Sequence, residues 1–253
     1  PSVAPFKQIG HLSAMIYAAL ATIPEREEIL RDVVASLSPQ VDKLFIYLNG
    51  HESTPEWFSE IENLEYVHSR DHGDHGDAGK FFWCANLDGV FLTCDDDIIY
   101  PETYAMDMVG YLESLSYCAV VTLHGAVMPR GAIDYHRSKR YFPLQSNQLK
   151  SRQVHIGGTG CMAFHTSTIR PMIDWFPLSN MADIWMAQKC QDLKIPIMMK
   201  KHIGSRFRCL KTLGIYHSTS TKDQSTRDRS EPIDSIIKAT PWRFPALPPS
   251  VTI

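Results

Sequence analysis

The stretch Val90-Phe91-Leu92-Thr93-Cys94-Asp95-Asp96-Asp97-Ile98-Ile99-Tyr100-Pro101 decides how this chain is read. Its first five residues form a short apolar run that predicts a buried strand, and three aspartates follow directly. Acidic triplets ordinarily belong in solvated loops, where their mutual repulsion costs little. Here the triplet is pinned between apolar and aromatic residues. Adjacent carboxylates near a core repel one another and resist desolvation, so a positive partner is expected. A hard divalent cation with oxygen ligands, Mg²⁺ or Mn²⁺ before Zn²⁺, meets that need. A strand-end turn whose acids face water is the alternative reading.

Outward from the triplet, strand and helix patterns alternate. Met15 to Ile23 reads as a buried strand entering the loop Thr22-Ile23-Pro24-Glu25-Arg26. From Arg26 to Leu37 the apolar residues Ile29, Val33, Val34 and Leu37 take helical spacing. Lys43 to Leu48 is a second strand, closed by the turn signal Asn49-Gly50, and Leu64 to Val67 a short third. A glycine-rich polar loop, His72 to Lys80, then leads into an expected helix over Phe81 to Asn86. Past the triplet, Pro101 is placed to start a helix running to about Leu115, and Ala119 to Leu123 reads as a strand. Residues 124–152 are polar, aromatic and basic with little periodicity. Gly157-Gly158-Thr159-Gly160 looks like a turn feeding a strand, Met181 to Leu193 a helix, and Ile195 to Met199 a further strand. The Ser/Thr/Asp/Arg-rich and then proline-rich end is expected to be a flexible lid and tail. Such alternation predicts an α/β fold with a mostly parallel sheet and helices on both faces.

The chain has 253 residues, enough for one large α/β domain, with 44% hydrophobic and 21% charged residues. A net charge of -3 gives no global basic field, so no nucleic-acid partner is expected. Six scattered cysteines without a C-x-x-C pair point to buried free thiols in a reducing compartment. No run of about 18 apolar residues suggests a membrane span, and no signal-peptide pattern opens the sequence, so a cytoplasmic location is expected.

In open α/β sheets, ligands bind beyond the carboxyl ends of the strands. Thr22 to Arg26, Asn49-Gly50, Asp77 to Lys80 and Asp95 to Asp97 all fall at such positions, which suggests a nucleotide pocket. The order of these parts resembles the GT-A class of glycosyltransferases, especially the family 2-like inverting enzymes. The carrying residues are Ala19-Leu20-Ala21-Thr22-Ile23-Pro24-Glu25-Arg26, Ser36 to Gln40, the strand Phe45 to Leu48, and Thr93 to Pro101 with its D-x-D-like triplet. The likeness spans roughly residues 15–217. It implies a Rossmann-like α/β/α sandwich with a mostly parallel central sheet. One domain would occupy residues 1–230, with a nucleotide-sugar half at 15–100 and an acceptor half at 101–230, and residues 231–253 would form a flexible C-terminal tail.

The resemblance also implies roles. Thr22, Pro24, Arg26, Asn49, Asp77, Gly79, Lys80, Asp95 and Asp96 would bind the donor nucleotide, and Asp95, Asp97 and His217 would hold Mn²⁺ or Mg²⁺. Gly158, Thr159 and Gly160 would form the loop approaching the sugar or acceptor. Asp183, where the family has the second acid of an E-D pair, would be the catalytic base. Two positions depart from the family: Asn49-Gly50 replaces an acid, and Ala182 replaces the first acid of the pair. The implied partners are a UDP-sugar donor and a glycan or lipid-linked glycan acceptor, in bacterial surface polysaccharide synthesis. Peripheral membrane association or fusion to polymerase domains would fit that setting. A nucleotidyltransferase and a non-catalytic nucleotide- or sugar-binding module stay open as alternatives. The first would carry an early glycine-rich basic motif, and Thr22 to Arg26 contains no glycine.

Overall fold

The computed structural model describes residues 14–210, 224–249 and 251, with backbone alone at 224–230. The first half contains β1 (Ile16–Thr22), α1 (Glu27–Leu37), β2 (Lys43–Leu48), β3 (Leu64–His68), α2 (Ser69–His72), β4 (Val90–Cys94), β5 (Ile98–Ile99) and α3 (Tyr104–Ser114). Then follow β6 (Val120–Thr122), β7 (Gly125–Val127), α4 (Tyr135–Ser138), β8 (Arg140–Phe142), β9 (Arg152–Val154), β10 (Ile156–Gly157) and β11 (Cys161–His165). The described chain closes with α5 (Ala182–Asp192), β12 (Ile197–Met199), β13 (Arg208–Cys209) and α6 (Gln224–Ala239).

Eight strands form the central sheet in the order β3-β2-β1-β4-β11-β6-β12-β9. β1 to β4 pair in parallel, as do β6 and β12. β11 runs antiparallel to both β4 and β6, so β6 and β12 point the same way as β1 to β4. Alternate residues of β1 enter opposite cores: Ala18 and Leu20 pack with α1 and α3, Tyr17 and Ala19 with α5 and α6. The expected α/β/α sandwich with a mostly parallel central sheet is therefore what the chain builds. α1 buries Leu30, Val33, Val34 and Leu37 on one stripe, the i, i+3, i+4, i+7 spacing of a half-buried helix.

Four expectations change. No α-helix covers Phe81 to Asn86; a 3-10 helix spans Gly76–Phe81 and turns follow. Its backbone lies directly on the Tyr47 ring, where a Cβ on Gly79 would stand 2.6 Å from ring carbons. The helix assigned to Pro101 starts at Tyr104, because Pro101 to Thr103 make a turn in which the Tyr104 N–H donates to the Pro101 carbonyl (2.8 Å). Residues 124–152, of little periodicity and with no element assigned from the sequence, contain β7 and β8, which with β10 make a three-stranded antiparallel sheet. Finally, where a flexible tail is expected over 231–253, the described residues 231–249 form the end of α6 and a strap on the core. Ile233, Ile236 and Ile237 are buried, and Arg243 and Gln191 exchange two hydrogen bonds.

Candidate active site

Parallel β1, β2 and β4 end on one edge of the sheet, and a cleft of about 670 Å³ opens there. Thr22 and the 3-10 turn Pro24–Arg26 leave β1, Asn49 and Gly50 leave β2, and Asp95 to Asp97 leave β4. Gly50 takes φ +69°, the left-handed turn its Asn-Gly pair announced. The start of α5, with Met181, Ala182 and Asp183, lines the same cleft, as does Ile233 of α6.

The triplet does not point one way. Asp96 is buried, and its Oδ1 accepts a hydrogen bond from Arg26 Nη1, which also lies 3.4 Å from Asp97 Oδ2. Asp95 Oδ1 accepts from Lys80 Nζ (2.5 Å), an ammonium only 2% exposed. Asp77 beside it is half-buried: Oδ2 accepts the Ala182 N–H (3.1 Å), while Oδ1 is enclosed with no partner among the described residues. Ala182, where the resemblance led one to expect an acid, thus serves through its backbone.

Ionisation follows from this packing. Burial pushes Asp77 up to about 6, with the nearby Lys80 charge opposing. Asp97 also rises to about 6, through burial first and the Asp95 charge second. Burial would raise Asp95 as well, but Lys80 outweighs it and holds that carboxylate below its ordinary value. Burial acts against the Lys80 ammonium, yet Asp95 and Asp77 lift it above the usual lysine range.

The second half supplies the opposing carboxylate. Asp183 Oδ1 accepts both the N–H and the hydroxyl of Thr159, each at 2.7 Å. Thr159 is itself tied to β4, because Thr93 Oγ1 donates to its carbonyl (2.7 Å). Tyr100 Oη donates to the Gly160 carbonyl (2.6 Å) and accepts the Asp95 N–H (2.8 Å), so one phenol joins the triplet to the glycine loop. The glycines are required by space, not handedness. A Cβ at Gly160 would lie 2.1 Å from Asp95 Oδ2, and one at Gly158 would lie 1.8 Å from His124 Nε2.

The cleft lining brings together Thr22, Pro24, Arg26, Asn49, Asp77, Lys80, Asp95, Asp96, Asp97, Thr159 and Asp183, as the sequence led one to expect. Asn49 donates from Nδ2 to the Gly76 carbonyl (2.9 Å) and keeps a buried Oδ1 with no partner among the described residues. Gly79 packs under the cleft on Tyr47, and Gly158 on His124, so neither lines it. His217 lies outside the described residues. Lys200 and Arg206, basic residues of the second half that could have served a diphosphate, pair with Asp107 of α3 (3.6 and 3.4 Å). Sequence reasoning missed His124 and Ile233. Only Ile233 left a trace, in the i, i+3, i+4 spacing of Ile233, Ile236 and Ile237.

A divalent cation fits this donor set. Seven acidic residues line the cleft (Glu25, Asp74, Asp77, Asp95, Asp96, Asp97, Asp183) against two basic ones, Arg26 and Lys80. A diphosphate entering such a field needs added positive charge. Among the described residues no three His, Cys, Asp or Glu converge as a closed metal site. A cation here would have to be held as Mg²⁺ often is, by one or two carboxylates together with phosphate oxygens and water.

No protein family's sequence profile matches the chain, and no curated protein matches it. Among solved structures it is similar to glucosyl-3-phosphoglycerate synthase from Mycobacterium tuberculosis. The complex with Mn²⁺, UDP and glucosyl-3-phosphoglycerate gives TM-score 0.40 at 14% identity, covering 64% of each chain. The UDP complex gives TM-score 0.40 at 17% identity, covering 66% of this chain and 64% of that one. The complex with Mn²⁺, UDP-glucose and phosphoglyceric acid gives TM-score 0.35 at 21%, covering 43% of each. The chain therefore spans 43–64% of the length of these structures. A likeness of this extent carries none of their ligands over, and the functional reading rests on the site. Among the described residues no helix is long and apolar enough to cross a membrane.

Proposed function

We propose that the chain is a metal-dependent glycosyltransferase, moving a sugar from a nucleotide-diphosphate donor to a hydroxyl of a glycan acceptor by inverting displacement. The observation that carries this is that Asp183 and the acidic triplet line one cleft. The triplet suits a metal-bound diphosphate, and Asp183 presents a carboxylate anchored through one oxygen by Thr159. A displacement at the anomeric carbon needs that division of labour: charge stabilisation at the leaving phosphate and a base at the attacking hydroxyl.

Asp95 and Asp97, half-buried on either side of the sequestered Asp96, would hold the cation, whose chemistry is to neutralise charge on the departing diphosphate. Arg26 and Lys80 keep the triplet folded in a charged state and orient it. The orphan Oδ1 of Asn49 suits an N–H of the nucleobase, uracil on the family resemblance. Asp183 takes the acceptor proton, and Met181, Ile184 and Ile233 line the wall that limits water. The donor half is residues 15–100 and the acceptor half begins at 101, with α6 now part of it. The resemblance extends this proposal to surface polysaccharide synthesis on the cytoplasmic side of a bacterial membrane.

Thermal unfolding with UDP, GDP and ADP, each with and without Mn²⁺, tests the reading. Stabilisation needing both nucleotide and metal is expected, about 2.7 kcal/mol at a ligand concentration a hundredfold above Kd. Asp97→Ala should lose the metal-dependent part. Asp183→Asn should keep nucleotide binding and lose sugar transfer. Metal-independent binding, or full turnover by the Asp183 variant, would refute the assignment.

A further inference from the structure

A second cavity of about 350 Å³ adjoins the cleft and shares Tyr135 and Asp183 with it. Its walls come from the small sheet, through Ala126, Tyr141 and Ile156, and from the turn holding Lys139. The Lys139 ammonium sits 3.7 Å from the centroid of the Tyr135 ring and 5.4 Å from that of Tyr141. Among the described residues no carboxylate lies within ion-pair distance of it. Ring faces attract a cation but do not accept its three N–H donors as oxygens do.

Burial accordingly pushes Lys139 below the ordinary lysine value, and Asp183 opposes this only from a distance. A half-buried ammonium without a counter-ion among the described residues, in one cavity with a carboxylate, suits a ligand with an anionic end. Charge-assisted bonds from Lys139 to carboxylate or phosphate oxygens are the strong kind. His136, whose imidazole also lines the cavity, can add a donor.

Resting on the glycosyltransferase reading, we propose that this cavity seats the acceptor, and that the acceptor is a hydroxylated molecule carrying a carboxylate or a phosphate. Lys139 holds the anion while a hydroxyl of the same molecule meets Asp183. The sequence placed an acceptor half here, but nothing in it named an anionic acceptor.

The test is direct binding to the intact chain without nucleotide, by calorimetry or ligand-observed NMR, using glucose, glucuronic acid and glucose 6-phosphate. The two acids separate carboxylate from phosphate recognition. At least one should bind about tenfold tighter than glucose. Lys139→Met should erase that preference and Lys139→Arg should keep it, both with unchanged UDP–Mn²⁺ stabilisation. Equal or undetectable binding of all three sugars by the wild type overturns the inference, as does a preference that survives in Lys139→Met. If the anion preference stands while UDP–Mn²⁺ stabilises nothing, the donor reading falls and the anion site remains. If UDP–Mn²⁺ binds and no preference exists, only the anionic acceptor is lost.

Discussion

Replacing Asp77 by Asn should stabilise the fold at neutral pH, although Asp77 lies in the machinery proposed to bind the donor. The carboxyl is buried against α5, with one oxygen bonded to the Ala182 N–H and the other unpartnered. Its value rises from 3.8 to about 6, and this is the net result after Lys80 has acted favourably. Its folded-state value is raised, so its contribution to stability is fully present below 3.8 and is lost as pH rises to about 6. The gap of roughly two units corresponds to about 3 kcal/mol of ionisation cost above pH 7. Asn retains the acceptor for Ala182 and never ionises. Urea unfolding of wild type and Asp77→Asn at pH 4 and pH 8 measures the effect. A gain of about 3 kcal/mol at pH 8 and under about 1 kcal/mol at pH 4 is expected. A gain equal at both pH values, or none at pH 8, would refute the claim that Asp77 is ionised at a cost in the folded protein.

Other outcomes follow from the same geometry. Gly160→Ala should displace the Asp95 carboxylate, since the added Cβ would stand 2.1 Å from Oδ2; loss of Mn²⁺-dependent nucleotide binding with only modest destabilisation, read by thermal shift, checks it. Mn²⁺-dependent nucleotide binding should weaken as pH falls through about 6, where Asp97 takes up its proton, by about tenfold per unit at lower pH; calorimetry from pH 7.5 to 5 follows this. Ile237→Ala, on the buried face of α6 at a residue 1% exposed, should cost about 2–5 kcal/mol in denaturant unfolding. A value near zero would mean α6 is not docked.

Much of this was legible because strong signals sit where the sheet ends. β1, β2 and β4 are continuous apolar runs of five to seven residues, and each meets a polar break. In a parallel sheet those breaks share one edge, so Thr22, Asn49 and Asp95 were brought together by topology alone. β7 to β10 could not be read, because strands of two or three residues are too short to show alternation. The helix expected at Phe81 to Asn86 reflected apolar content, whereas the real constraint was a backbone resting on Tyr47. α6 was hidden by its polar composition and Pro232, with three isoleucines as its whole apolar stripe. The internal neutralisation of the triplet by Arg26 and Lys80 was beyond reach, since it pairs residues 70 and 15 positions apart.

The antiparallel course of β11 has a consequence for how such a protein can diversify. Thr122 at the end of β6 and Met162 near the start of β11 are ladder partners, roughly 5 Å apart in a sheet of this kind. Between them the chain makes β7, α4 and β8, the excursion that carries Lys139, before β9 returns to the outer edge of the central sheet beside β12. That excursion can be lengthened, shortened or exchanged without shifting the register of the strands that carry Asp95 and its neighbours. Selectivity for one substrate is thereby uncoupled from capture of the other, and a grafted loop from a related chain is a practical way to retarget it.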